Sequence, residues 1–235
     1  DQGGLPYRDQ AFRAHMSEDR HERLALASNP RRANLADTEK LARLFTAAFL
    51  DDPVFGWIAR QGPKRAIGME RFFYWLLQMR AIPFGEVWMA EDASAAAAWL
   101  PPGTPASPGG FLEQLKLLPM FLRLCGFPRL MRGSAMADAM EKHHPHEPHF
   151  YLAFIAVAPR LQGLGLGGAM LEANLKRIDA AGSPAYLENS NPKNTRLYER
   201  AGFKTRKSIA PAGAPPLLAM WRDARGRQGS SSESQ

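Results

Sequence analysis

The chain contains a single cysteine, Cys125, so no internal disulfide can brace its fold. Nothing in it calls for an oxidising compartment, and a cytoplasmic protein is expected. Long hydrophobic runs are missing too. The longest, residues 150–157 and 95–100, fall far short of the roughly 20 residues that a membrane-spanning helix needs. No basic segment followed by an apolar stretch opens the chain, so no secretory leader is expected. Charge of one sign is not gathered into blocks. The net charge is +7, but bases alternate with acids, as at Glu18, Asp19 and Arg20 or Arg222, Asp223 and Arg225. That pattern reads as a solvated surface, with no nucleic-acid groove and no membrane partner. Metal-ligand spacing is lacking as well. His143, His144, His146 and His149 are split by Pro145 and Pro148, no cysteine assists, and no metal is expected.

What remains is a composition suited to one globular domain: 235 residues, 45% hydrophobic and 10% aromatic. Residues 1–32 are polar, Arg-rich and without sustained period, and are expected to be a flexible arm. Residues 33–222 read as the single domain, and 223–235, ending in a serine-rich stretch, as a disordered tail. Inside the domain, Asp37 is placed to cap a helix carrying Leu41, Leu44, Phe45, Ala48 and Phe49 at helical spacing. A second helix is predicted after Pro63, with Met69, Phe72, Phe73, Leu76 and Leu77 on its buried side. Residues 86–90 and 95–100 read as a hairpin turning at Glu91 and Asp92. Residues 103–145 form a helical insert, expected to be broken by Pro119 and Pro128. A first strand near residues 33–35 is only weakly written.

The last third reads strand, glycine loop, helix, strand, short helix, strand, strand. Residues 150–157 are continuously apolar, as a strand buried on both faces requires. The loop that follows, Gln162-Gly163-Leu164-Gly165-Leu166-Gly167-Gly168, lets the backbone approach an anion and turns its N–H groups toward it at the start of a helix. It is suited to a pyrophosphate. Gly163, Gly165 and Gly168 satisfy the dinucleotide spacing G-x-G-x-x-G, but residues 158–162 separate them from the strand and no βαβ unit precedes. The kinase-type phosphate loop fails because no Lys-Ser/Thr follows the last glycine. After the next strand, Asn191 and Pro192 open a helix with N-cap and N1 chemistry, Tyr198 lies near its middle, and Gly202 falls just past its end.

Two segments together, Val157-Ala158-Pro159 with Gln162-Gly163-Leu164-Gly165-Leu166-Gly167, and Asn191-Pro192 with Asn194, Tyr198-Glu199-Arg200 and Gly202-Phe203, resemble the GNAT acyltransferase superfamily. The His/Pro-rich residues 143–149, with Tyr186-Leu187-Glu188 and Asn194, resemble its puromycin N-acetyltransferase-like branch. The resemblance implies an α/β GNAT fold: a mixed, mostly antiparallel sheet with helices on both faces and a cofactor cleft where the two strands flanking the loop splay apart. It implies acetyl-coenzyme A as cosubstrate, with the backbone of Ile155, Ala156 and Val157 pairing with the pantetheine. The N–H groups of residues 162–168 would hold the pyrophosphate, with Asn191, Asn194 and Tyr198 beside the pantetheine arm. Acetyl would pass to a primary amine of a small molecule by direct attack. Tyr198 is the candidate proton donor to the departing thiolate, and Glu188 the candidate base. Phe45, Asp51, Phe73 and Trp75 are candidate walls for the acceptor. A non-catalytic acyl-coenzyme A sensor and an acyltransferase acting on a protein amine stand as alternatives, and a homodimer is left open.

Overall fold

The computed structural model describes residues 5–104 and 111–225. The order is α1 (Leu5–Ser28), β1 (Arg31–Arg32), α2 (Thr38–Phe49), α3 (Pro53–Ile58), α4 (Lys64–Leu76), β2 (Val87–Met89) and β3 (Ala95–Leu100). There follow α5 (Phe111–Cys125), α6 (Leu130–His143), β4 (Phe150–Val157), α7 (Leu166–Ala180), β5 (Ala185–Asn189), α8 (Thr195–Arg200), β6 (Lys204–Ile209) and β7 (Leu217–Arg222). The seven strands form one sheet in the order β1-β2-β3-β4-β5-β7-β6. Every neighbouring pair is antiparallel except β4 with β5. No helix among the described residues is long and apolar enough to cross a membrane.

Strand alternation sorts the core into two layers. On β3, Ala95, Ala97 and Trp99 face a core shared with α7, while Ala96 and Ala98 face one shared with α2 and α4. On β5, Ala185 and Leu187 face the α7 side. Tyr186 faces the opposite side, with Met136 of α6, Val54 of α3, and Ala219 and Trp221 of β7. Arg222 is buried and ties the end of β7 to α7 through two bonds to Asp179, at 2.5 and 2.7 Å, and to α8 through the Ala201 carbonyl.

Four expectations change. Residues 5–28 are a helix, not an irregular arm: Leu24, Leu26 and Ala27 pack against the core that α7 also covers. Their burial supplies what the weak sequence period does not. The first strand is Arg31–Arg32, ahead of residues 33–35. Asp37 makes no side-chain cap for α2. Asn34 caps the short 3-10 turn Leu35–Asp37 instead, and the Asp37 carboxylate takes a two-pronged bond from Arg31, 2.7 Å on each side. Helix α5 also runs through Pro119, whereas Pro128 falls in a separate 3-10 turn, Phe127–Arg129. The tail expected from 223 is outside the described residues from 226 onward.

Helices α4 and α5 touch backbone to backbone at Gly68. A β-carbon there would lie 2.5 Å from the Arg123 carbonyl oxygen and 3.3 Å from Leu124 Cα. Backbone cannot swing aside as a side chain does, so Gly68→Ala forces the helices apart. Overpacking costs about 1–3 kcal/mol and better helix propensity returns about 1. The net cost of about 1 kcal/mol should lower the midpoint of thermal unfolding by roughly 2–4 °C. An unchanged midpoint by scanning calorimetry would mean the contact is looser than described.

Candidate functional site

β4 and β5 pair only from Phe150 with Ala185 to Leu152 with Leu187. Beyond that point β4 stays paired to β3 as far as Val157, and β5 to β7 as far as Asn189. The two strands therefore part, and residues 153–157 present an edge to the opening with no strand on it. An unpaired edge of amides is suited to an extended ligand that carries amides of its own. Ile155 lines the cavity that fills this opening, Val157 is half-buried, and Ala156 turns its methyl into the core beneath α2 and α4.

The glycine loop closes one end of the cleft. After Val157 comes a 3-10 turn, Pro159–Leu161, anchored by the buried Leu161. The Gln162 side-chain amide donates to the Val157 carbonyl at 3.2 Å. Gly163 (φ +80°) and Gly165 (φ +97°) both adopt left-handed backbone, which a β-carbon would strain. Gly165 is the N-cap of α7, and the bond from Ala169 N to Gly165 O, 3.1 Å, is the first of the helix. The N–H groups of Leu166, Gly167 and Gly168 precede it and have no partner inside the helix, so they are available to an anion. The Leu166 side chain is buried in the core, and only its backbone serves the loop. Arg20 of α1 donates to the Leu164 carbonyl at 3.3 Å. A groove of about 420 Å³ continues from Gly168 between α7 and α8, walled in part by Lys176, Arg200 and Arg225.

Across the cleft, Asn191 is used as a cap. Its side chain accepts from Lys193 N at 3.1 Å, and its own N–H donates to Asn189 Oδ1 at 3.1 Å. Those bonds open the 3-10 turn Pro192–Asn194 that leads into α8. Asn194 and Tyr198 line the cavity, whereas Asn191 does not. Tyr198 is buried, its ring set edge-on to Phe203. Burial, and secondarily the Asp52 carboxylate, push its ionisation well above that of an ordinary phenol, so it stays protonated through neutral pH.

The cavity, about 290 Å³, runs from this cleft to a wall of aromatic rings on α2, α3 and α4. Phe49, Phe55, Phe72 and Phe154 meet edge to face, Phe55 and Phe154 tilted, at centroid distances of 5.4–6.4 Å. Three carboxylates, Asp52, Glu141 and Glu188, line this space. Asp52 is buried and caps α3, Oδ1 accepting from Val54 N and Phe55 N at 2.9 and 3.0 Å, while Ser190 Oγ donates to Oδ2 at 2.5 Å. Burial still pushes its pKa up, against those three donors. Glu188 is the first β5 residue past the point where the strands part. Its side chain is 2% exposed, and neither oxygen has a hydrogen-bond partner among the described residues. Burial first, then the Glu188 charge and the approach of their hydroxyls to its carboxylate, oppose ionisation of Tyr151 and Tyr186 beside it. His144 Nδ1 stands 3.8 Å from Glu188 Oε1. A buried carboxylate that faces two phenols and an imidazole without a close hydrogen bond to any of them is costly and calls for a functional reason.

Of the residues expected at the acceptor wall, Trp75 lines the cavity. Phe45 and Phe73 are core rings behind it, in contact with Phe154. Asp51 corrects by one residue: it is exposed, and Asp52 points inward because it caps α3. Tyr198, Glu188, Ile155 and Asn194 share one cavity. The sequence reading missed Asp52, Ser190, His144 and Tyr151. Asp52 had a signal in the Asp-Pro step that starts a helix. His144 had one in the histidine run, which folds into an aromatic cluster with His149, Tyr151 and Tyr186.

Residues 131–203 match the model of the Acetyltransferase (GNAT) family. An uncharacterized N-acetyltransferase of Schizosaccharomyces pombe is 25% identical over 189 residues, 76% of this chain and 75% of the relative. Among solved structures, a histone acetyltransferase HPA2 and related acetyltransferase from Corynebacterium glutamicum superposes with a TM-score of 0.65. It is 23% identical, over 85% of this chain and 98% of that one. A polyamine N-acetyltransferase from Drosophila melanogaster gives 0.56 at 17% identity, over 83% and 98%. The chain has the GNAT fold, and the matched family model and the relatives support the GNAT acetyltransferase superfamily for it.

Proposed function

We propose that the protein is an acetyl-coenzyme A-dependent N-acetyltransferase whose acceptor is the primary amine of a small molecule with an apolar body. One observation carries the reading: a single cavity joins the cleft at Ile155 and Tyr198 to an aromatic chamber holding the buried Glu188 carboxylate. Acetyl-coenzyme A supplies the activated thioester. The loop N–H groups at 166–168 hold its pyrophosphate, the free edge of β4 pairs with its amides, and Lys176, Arg200 and Arg225 suit its remaining phosphate. Glu188 attracts the ammonium of the acceptor and takes the proton that nitrogen must lose before it can attack. Tyr198 holds a proton where the sulfur departs. The apolar walls favour an amine carried on an aromatic or aliphatic body.

The test is cofactor titration by calorimetry, followed by amine-dependent thiol release. Aromatic monoamines, puromycin among them for the branch the sequence resembles, are compared with spermidine, aminoglycosides and lysine-containing peptides. Turnover highest on the apolar monoamines is expected. Binding without turnover on any amine would favour an acyl-coenzyme A sensor, turnover confined to peptides would favour a protein amine, and no binding would remove the reading.

A further inference from the structure

The reaction proposed above has a proton balance that Glu188 alone cannot close. An alkyl amine reaches the site as ammonium at neutral pH, because its pKa is about 10. Ammonium and thioester become amide, free thiol and one proton. The nitrogen loses two protons: one goes to the departing sulfur, and the other must reach solvent in every turnover. Glu188 accepts the second, but its side chain is 2% exposed and is walled in by Tyr151 and Tyr186. Both phenols already hold their protons tightly and give the carboxyl no outlet.

His144 does. It sits at the C-terminal cap of α6, with Nδ1 3.8 Å from Glu188 Oε1 and a side chain 20% exposed. Its ring is clamped at centroid distances of 5.0 Å from His149, 5.0 Å from Tyr151 and 5.2 Å from Tyr186. We propose that His144 is the proton exit of the site, taking the proton from Glu188 on one ring nitrogen and releasing it to solvent from the other. Imidazole is suited to that task because it accepts and donates near neutral pH with little bias. His144 acts through Glu188 and is a positioning and relay residue; it does not itself touch the reacting carbon.

The groups facing the pair come from every element packed around it. Glu188 and Tyr186 lie on β5, Tyr151 on β4, His149 just ahead of β4, and Glu141 on α6. Arg206 of β6 reaches the same cluster, 4.0 Å above the Trp221 ring and opposing the effect of Glu188 on Tyr186. His149 is a poor second exit. Its Nδ1 lies 2.6 Å from the Glu147 carbonyl, the residue is 7% exposed, and burial pushes its pKa down.

The inference rests on the acetyltransferase reading, and the test separates the two. His144→Asn and His144→Gln are assayed with the best amine across pH 6–9, in weakly buffered solution, with and without added imidazole. His143→Asn is the control: it lies on the same helix, with Nδ1 2.7 Å from the Ala139 carbonyl. Melting midpoints monitor folding. The expected result is a fall in kcat of roughly ten-fold in both His144 variants, with the amine KM held within about two-fold. Added imidazole should restore most of the loss, and the pH–kcat profile should shift in the His144 variants alone. Unchanged kcat and profile, or a loss that imidazole does not restore, would overturn the relay while wild-type turnover keeps the enzyme reading intact. Absence of wild-type turnover on every amine would overturn both.

Discussion

Glu188→Gln is expected to lower kcat/KM for a primary amine by about 10³ at pH 7, with little loss of stability. The substitution keeps the shape of the side chain and removes a charge that has no hydrogen-bond partner among the described residues. Burying such a charge is unfavourable in itself, so folding should be unaffected or improved. Activity loses two things together: the anion that draws the ammonium into an apolar chamber, and the acceptor of its proton. The first raises KM and the second lowers kcat, so both parameters should move. The pH dependence has a definite sign. With Glu188 gone, the reaction depends on the neutral amine that solution supplies, which increases ten-fold per pH unit up to the amine pKa of about 10. The gap between variant and wild type should therefore narrow steadily from pH 7 to pH 9. A uniform loss at every pH would indicate that Glu188 orients the site without accepting the proton. No loss would leave the carboxylate without a catalytic role.

The glycine loop and the turn at Asn191 were legible in the sequence because their determinants are local. A left-handed turn demands glycine, a helix start demands a cap, and both requirements are written in consecutive residues, from Gln162 to Gly168 and from Asn191 to Gly202. The hairpin and the strand at 150–157 were legible because alternation and a continuous apolar run are local as well. Tyr198 and Glu188, named from the resemblance, line one cavity. The aromatic chamber was not legible, since it forms only when distant segments meet. Phe49, Phe55, Phe72 and Phe154 come from four different elements and look in sequence like any core phenylalanine. Asp51 and Asp52 are chemically identical neighbours, and only the helix beginning at Pro53 decides which one turns inward. His144 acquires its meaning from α6, which packs Met136 against Tyr186 and so brings its C-terminal cap to the face of β5 that carries Glu188. Helix α1 was missed because most of it is polar, and the apolar residues that hold it lie near its end.

Tyr198→Phe is expected to lower kcat by about 10², leaving the amine KM nearly unchanged. The phenol lines the same cavity as Ile155 and Glu188, and losing one oxygen leaves its walls in place, so the variant should bind both substrates. It fails at collapse, when a thiolate must leave. A phenol is a weaker acid than a thiol, whose pKa is about 8.5, and burial beside Asp52 weakens this one further. Full transfer of its proton to a free thiolate would run uphill. Its contribution is therefore to hydrogen-bond the sulfur while charge develops there, and to release the proton as the carbon–sulfur bond breaks. The raised ionisation also fixes the alkaline limit. Because the phenol stays protonated well beyond pH 10, Tyr198 imposes no loss of kcat up to that pH. Leaving-group chemistry supplies a sharper test than rate alone. A donor with a more acidic thiol needs less help, so the penalty of Tyr198→Phe should shrink when an activated aryl thioester replaces acetyl-coenzyme A. A penalty of the same size with both donors would show that the hydroxyl serves binding or packing, and proton delivery to sulfur would then have to come from water.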